Sequence, residues 1–306
     1  MNFWLITLFG FGVGVMVGTT GVGGGSLMTP ALILVFNTQP RIAIGTDLAY
    51  AAVTKTLGGW RHLKNRTVDM TIALWLAVGS VPGALGGVYV LHLLEKALGK
   101  SSFDDLILEL VAAALLLTGV TVLARSLWKA PDDRQTVDPF ELKHKVGAVS
   151  IGLSVGFVLG LTSAGSGSLI AVGLLLFYRL SPRRVVGTDV FHAAILLWVA
   201  ATAHVVSGNV DFGLAGNILV GSLPGVWIGS ALSIRLPEGG LRPTLGVVLL
   251  AAGLALLNRS GVGFPVFLIF AGPAAVGALL IAWHVFRGGD EDHSPKPIAQ
   301  PAAQLP

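Results

Sequence analysis

The residues best suited to chemistry in this chain are hydroxyls set among glycines. Gly18-Thr19-Thr20-Gly21-Val22-Gly23-Gly24-Gly25-Ser26 and Gly160-Leu161-Thr162-Ser163-Ala164-Gly165-Ser166-Gly167-Ser168 each interrupt an apolar run. Neither is a comfortable helix interior, since each Gly there costs about 1 kcal/mol relative to Ala. At membrane depth such irregular backbone must be buried in protein or line a wet cavity, because hydrocarbon offers an amide no partner. Helices restarting at Gly25 and Gly167 aim free N–H groups and positive dipole ends inward. Thr20, Ser26, Thr162, Ser163, Ser166 and Ser168 add hydroxyl donors, and Gly23, Gly24, Gly165 and Gly167 let the backbone come close. Together they suit a small anion.

Ionisable side chains inside apolar sequence form the second set. Asp47 and Asp189 follow Gly45-Thr46 and Gly187-Thr188. A carboxylate near a helix centre costs about 2.5 to 3.5 kcal/mol on insertion scales, which marks both as coupling or gating groups; helix capping is the plainer alternative. Lys55, about two turns past Asp47 and replaced by Leu at 197, is a candidate partner for a bound anion or for Asp47. His192 follows Asp189 by three residues, so on a helix the two share a face and form a candidate proton pair. His62 and His204 sit near predicted span ends, where interfacial anchoring is expected, and no metal-ligand cluster is evident. Asp69 and Asp211 precede apolar segments and read as helix caps. Pro82 and Pro224, each followed by Gly, are expected to kink their helices at matching depths.

The elements that must position these residues come in two copies. Adding 142 to a first-half residue number lands on its second-half counterpart without a gap. Gly18, Thr20, Gly23, Gly25, Ser26 and Leu27 map onto Gly160, Thr162, Gly165, Gly167, Ser168 and Leu169. The register continues through Pro40-Arg41 and Pro182-Arg183, then Gly79-Ser80-Val81-Pro82-Gly83 and Gly221-Ser222-Leu223-Pro224-Gly225. Paired glycine-broken segments at corresponding positions point to the binding site of a secondary transporter. Gly10, Gly14 and Gly18, like Gly152, Gly156 and Gly160, are spaced by four and read as helix-packing positions.

Composition sets the class. Of 306 residues 53% are hydrophobic and 12% charged, with mean hydropathy +0.78, so the chain is expected to be an all-α polytopic membrane protein. Apolar segments fall near 3–19, 25–36, 43–60, 70–93, 105–127, 146–161, 167–178, 185–206, 212–234, 242–257 and 263–286. That gives two inverted-topology repeats of about five segments, one short or re-entrant in each, plus an extra C-terminal span. The predicted organisation is 1–128 repeat 1, 129–145 a cytoplasmic linker, 146–257 repeat 2, 258–286 the extra helix, and 287–306 a disordered cytoplasmic tail. Residues 2 to 18 are read as part of the mature fold. Lys and Arg collect on one side if the N-terminus lies outside and the C-terminus in the cytoplasm, leaving Arg41, Lys96, Lys100 and Arg259 external. The odd segment number then inverts the second copy. Absence of cysteine excludes disulfides and thiolate chemistry, and no Walker nucleotide motif is present.

A Gly-rich break, then Gly-Ser-Leu, then Pro some residues on, then Gly-Thr before the next helix, occurs in both halves and resembles the sulfite exporter TauE/SafE family of membrane transporters. The resemblance runs from about residue 3 to 257. It implies a duplicated helical bundle that moves sulfur-containing or related organic anions across the cytoplasmic membrane. Both copies here carry Asp after Gly-Thr, where Ser is common in the family. The expected partners are a small anion, protons or another coupling ion, and the lipid bilayer; a homo-oligomer is compatible with this picture. No cofactor, metal or nucleic acid is expected. A passive anion channel and an intramembrane hydrolase using Ser163 or Ser166 with His192 or His204 are the alternatives.

Overall fold

In a computed structural model the chain is helical, and it describes residues 3–20, 25–127, 142–178, 180–233, 238–263, 265, 267–269 and 271–278. The helices are α1 (Phe3–Thr20), α2 (Gly25–Leu34), α3 (Pro40–Lys64), α4 (Met70–Leu98), α5 (Lys100–Leu127), α6 (Leu142–Thr162), α7 (Ser166–Tyr178), α8 (Pro182–Val206), α9 (Phe212–Ser233) and α10 (Glu238–Arg259). A shorter apolar helix follows at Phe267–Ala278. The first ten sit where the apolar segments predict, each within a few residues at either end, and α6 begins inside the stretch read as linker. Most of that linker and the tail 287–306 lie outside the described residues.

Among the described residues, five helices are long and apolar enough to cross a membrane: Met70–Leu98, Lys100–Ala124, Leu142–Thr162, Arg183–Val206 and Phe212–Leu232. Large apolar side chains cover the outside, Leu8, Val78, Tyr89, Phe212 and Trp227 among them. Water would penalise such a surface, whereas lipid solvates it. The chain is a multi-pass membrane protein. The short helices α2 and α7, at 10 and 13 residues, are half-span length.

Glycine spacing decides which helices pair. Gly10, Gly14 and Gly18 on α1 lie against the backbone of Ile218, Ser222 and Val226 on α9; a Cβ on Gly10 would stand 2.8 Å from the Ile218 carbonyl oxygen. Gly152, Gly156 and Gly160 on α6 meet Leu76, Ser80 and Ala84 on α4 in the same way. Residue numbers rise together along both contacts, so each pair runs parallel. Such small-residue seams let backbones approach closely and pack by dispersion where no hydrophobic drive exists. The packing reading of these glycines holds. Pro82 and Pro224 lie within α4 and α9, which remain continuous helices through them.

Two further contacts join helices to their own counterparts, α3 with α8 and α5 with α10. α3 and α8 run antiparallel, with Gly59 on Phe191 and Gly45 on the carbonyl of Asn209. Trp198 donates from Nε1 to Thr56 Oγ1 at 2.8 Å, joining two residues 142 apart. α5 and α10 are also antiparallel, with Gly119 facing Leu250 and Gly253 facing Leu116. The main core gathers α2, α3, α5, α8 and α10 around Met28, Leu32, Leu48, Tyr50, Leu115, Leu196 and Leu249.

Candidate functional site

The duplicated Gly-Thr-Asp segments lie near the starts of α3 and α8. Each Gly-Thr grips the loop between the long helices of the other half. Gly187 admits the Thr67 carbonyl as Gly45 admits that of Asn209. Thr188 Oγ1 accepts the Asp69 N–H at 2.9 Å, and Thr46 Oγ1 accepts the Asp211 N–H at 3.0 Å. Asp69 and Asp211 in turn cap α4 and α9, accepting from Ile72 N at 3.2 Å and Leu214 N at 2.9 Å. Arg184 adds an ion pair to Asp69 at 3.3 Å. These residues therefore hold the two halves together, and the expected caps are present.

Asp47, the next residue, does something different. Its side chain is wholly buried, and its Oδ2 accepts from Thr29 Oγ1 at 2.6 Å and Ser163 Oγ at 2.8 Å. Thr29 belongs to α2 of the first half; Ser163 belongs to the break between α6 and α7 of the second. A Cβ on Gly25, the first residue of α2, would stand 2.6 Å from the Ser163 carbonyl oxygen and 3.4 Å from Asp47 Oδ2. The second break thus abuts the point where α2 starts, and one carboxylate bonds to both. Ser163 takes the left-handed backbone conformation at φ 58°, and Gly165 lies at φ 95°, a region costly for any side chain bearing a Cβ. This non-helical turn separates α6 from α7.

The break is tied down from several directions. Thr162 Oγ1 donates back to the Val158 carbonyl at 2.7 Å and accepts from Ala164 N at 3.2 Å. His204, wholly buried, places Nε2 3.1 Å from the Gly160 carbonyl oxygen. It does not anchor at the interface as its position near a span end suggests: α8 continues two residues further and turns this face onto α6. His62 at the equivalent position is half-buried, with Nδ1 2.9 Å from Thr67 Oγ1. His192 lies with Nε2 2.7 Å from Ser80 Oγ on α4. Across the equivalent α3–α9 contact the Tyr50 and Ser222 hydroxyls face one another without closing a hydrogen bond.

The predicted anion-site residues fall into three groups. Gly25, Ser163 and Gly165 are at or beside the junction, and Thr162 supports it. Ser26 and Ser168 are buried in the first turns of α2 and α7, and Ser168 Oγ has no hydrogen-bond partner among the described residues. Gly167 is half-buried on α7. Gly23 and Gly24, with the side chains of Thr20 and Ser166, lie outside the described residues. Lys55 is buried on α3 but does not pair with Asp47, whose partners are hydroxyls; its charge bears on His62 two turns along the helix. Asp189 is buried on α8.

Ser163 is not paired with a histidine, and the side chain of Ser166 lies outside the described residues. Ser163 donates to a carboxylate, while His192 and His204 face Ser80 and a carbonyl. Thr29, Ser80 and Tyr50 are site residues that sequence reasoning passes over. Ser80 carries a signal, because Gly79-Ser80 recurs as Gly221-Ser222. Thr29 carries none: its counterpart is Ala171.

Comparison with known proteins agrees with this architecture. Residues 6–256 match the family described as Sulfite exporter TauE/SafE. The chain is similar to YjnA, a probable membrane transporter protein of Bacillus subtilis, at 37% identity over 82% of this chain and 98% of that protein. It is also similar to the probable membrane transporter protein YdhB of the same organism, at 27% identity over 83% and 99%. A probable membrane transporter protein of Methanocaldococcus jannaschii matches at 22% over 83% and 94%. No solved structure matches. The broken helices, the helix seams and the matched length therefore agree, and the chain belongs to the sulfite exporter TauE/SafE family of membrane transporters.

Proposed function

We propose that this chain is a secondary transporter of a small anion, by alternating access at a midplane site formed by the two glycine-rich breaks, and that the proton gradient drives it. The family's description points to a sulfur-containing oxyanion, and an organosulfonate or carboxylate presents the same chemistry. The observation carrying this reading is the junction itself: Gly25 at the start of one short helix lies against Ser163 at the break of the other half, with the hydroxyls of Ser26 and Ser168 buried nearby in sequence. Broken helices whose N-termini point at a shared interior site are how membrane proteins hold anions without formal charge. Lys55 supplies a buried cation in the same helix as Asp47. Asp47 bonds to both halves and is the coupling carboxylate; Asp189 and His192 belong to the gate.

The two halves act as inverted repeats that rock against one another, the antiparallel α3 and α8 forming the pivot. The chain resides in the cytoplasmic membrane with its N-terminus outside. Arg61, Lys64 and Arg66 lie on the same face of the bundle as Lys143, Lys145, Arg183 and Arg184, and the positive-inside bias makes that face cytoplasmic.

The test is flux into proteoliposomes carrying the purified full chain, with sulfite, sulfoacetate and acetate as probes under an imposed pH gradient. Saturable uptake above the equilibrium ratio is expected for at least one anion. Flux that neither saturates nor concentrates would make the protein a channel, and no flux of any anion would remove the reading.

A further inference from the structure

The Asp47 carboxylate stands where a transported anion should sit. Its Oδ2 lies 3.4 Å from where a Cβ on Gly25 would be, and it draws on the Thr29 and Ser163 hydroxyls. Its Oδ1 is buried and has no hydrogen-bond partner among the described residues, and neither has Ser168 Oγ on the short helix that follows the second break. The site thus carries a carboxyl group with one oxygen held by two hydroxyls and the other orphaned.

While Asp47 is ionised a second anion is excluded, because like charges about 5 Å apart in a protein interior weaken binding roughly a hundredfold. A proton on Oδ1 removes that repulsion. It also weakens the hold on Thr29 and Ser163, whose hydroxyls become available to an incoming anion. We propose that Asp47 is the site's resident anion, neutralised by protonation, so that substrate anion and proton bind together and cross as symport. This rests on the anion-transporter reading above. The proton joins Oδ1 on the side from which the anion enters and leaves from it after the anion is released on the other. A monoanion and its proton then carry no net charge.

The groups that reach Asp47 are hydroxyls. Of the elements packed on α3, α2 presents Thr29 and the break after α6 presents Ser163. α9 presents Ser222, which faces Tyr50 one turn along α3 from Asp47. α8 carries Asp189 and His192, the latter facing Ser80 of α4, and α5 carries Thr118, whose hydroxyl donates to the Ala114 carbonyl. Lys55 lies about two turns from Asp47 along α3. The second half lacks these two hydroxyls, with Ala171 and Gly21 at the positions equivalent to Thr29 and Ser163.

The experiment uses proteoliposomes, whichever of sulfite, sulfoacetate or acetate the first assay moves, and a lumenal pH dye. An inward anion gradient is expected to acidify the lumen, and wild-type flux to fall as pH rises. Asp47→Asn is expected to move the anion without protons, and its flux relative to wild type to grow about tenfold per pH unit above the Asp47 midpoint. Thr29→Val, which removes one bond to the ionised form, is expected to raise the midpoint of wild-type-like flux by about one pH unit. Proton movement by Asp47→Asn, lumenal alkalinisation in the wild type, or an unmoved midpoint in Thr29→Val each overturns the proposal. If Asp47→Asn does not fold, the Thr29→Val midpoint and the direction of wild-type proton movement decide. A wild type that moves none of the anions overturns the parent reading and this one with it.

Discussion

Gly45-Thr46-Asp47 and Gly187-Thr188-Asp189 are the same three residues in the two halves, and the first two do the same work in each. Gly45 and Gly187 each admit a carbonyl from the opposite half, and Thr46 and Thr188 each accept the N–H of a helix-capping Asp. Asp47 then ties α2 to the second break through Thr29 and Ser163, a pair of hydroxyls for which the other half has Ala171 and Gly21. Beside them, His192 bonds Ser80 where Tyr50 and Ser222 only face each other, and Lys55 stands opposite Leu197 in the register. The duplication is thus kept where backbone meets backbone. It is broken where polar side chains meet. Under the proposed alternating access, a scaffold that rocks between two equivalent states needs the first kind of equality, whereas recognition of one substrate and one coupling ion needs the second kind of difference.

The largest effects should come from breaking what is equal. Gly14→Leu and Gly156→Leu each drive a side chain into the opposing backbone, of Ser222 and Ser80 respectively. Each should destabilise the protein by about 3 kcal/mol or more, the upper range for overpacking. Thermal melting in detergent is the measurement, and a variant pair of which only one melts early would show that the seams are not equivalent. Gly45→Ala and Gly187→Ala press a single methyl on a loop carbonyl, so each should cost about 1 to 3 kcal/mol, again alike.

Seams of this kind are legible in the sequence because packing needs only spacing. Gly10, Gly14 and Gly18 recur every four residues, and a helix puts them on one face whatever lies opposite. Helix positions follow from apolar length, and the caps Asp69 and Asp211 from their place ahead of an apolar run. The junction is half legible. Two glycine breaks in register announce an interior site, but which side chain crosses between them depends on distances no offset encodes. Ser163 reaches Asp47 across 116 positions, and Thr29 reaches it across 18 from a helix turn with no motif. Charge alone matches Lys55 to Asp47, whereas the hydrogen bonds to the buried carboxylate come from neutral hydroxyls. His204 misleads for a related reason: closeness to a helix end does not say which way the ring faces.

Breaking what is unequal should give smaller and lopsided effects. Ser80→Ala strands the Nε2 of a buried histidine, while Ser222→Ala removes a hydroxyl that closes no hydrogen bond. The first should cost about 1 to 3 kcal/mol, the penalty for orphaning a buried polar atom, and the second within about 0.5 kcal/mol. Equal losses in the two melting curves would mean that the Tyr50–Ser222 contact is a bond of the same standing as His192–Ser80, and the contrast between the halves would narrow to Asp47.

The smallest effect belongs to a hydrogen bond between a residue and its own counterpart. Trp198 donates to Thr56 at 2.8 Å from an exposed position, so the bond competes with whatever surrounds the bundle and contributes little, on the order of 0.5 to 1 kcal/mol. Thr56→Val removes the acceptor and keeps the shape; Trp198→Phe removes the donor. If the bond is what joins them, the double variant should melt no lower than the sum of the two minus one bond, a coupling of about 0.5 kcal/mol or more in a double-mutant cycle. Being at the contact of α3 with α8, the pair should also shift the balance between the two faces of the bundle rather than the affinity of the junction. The check is an unchanged half-saturating anion concentration beside a changed maximal rate. A change in half-saturation alone would place Thr56 in the site and make the contact between counterparts part of the asymmetric machinery.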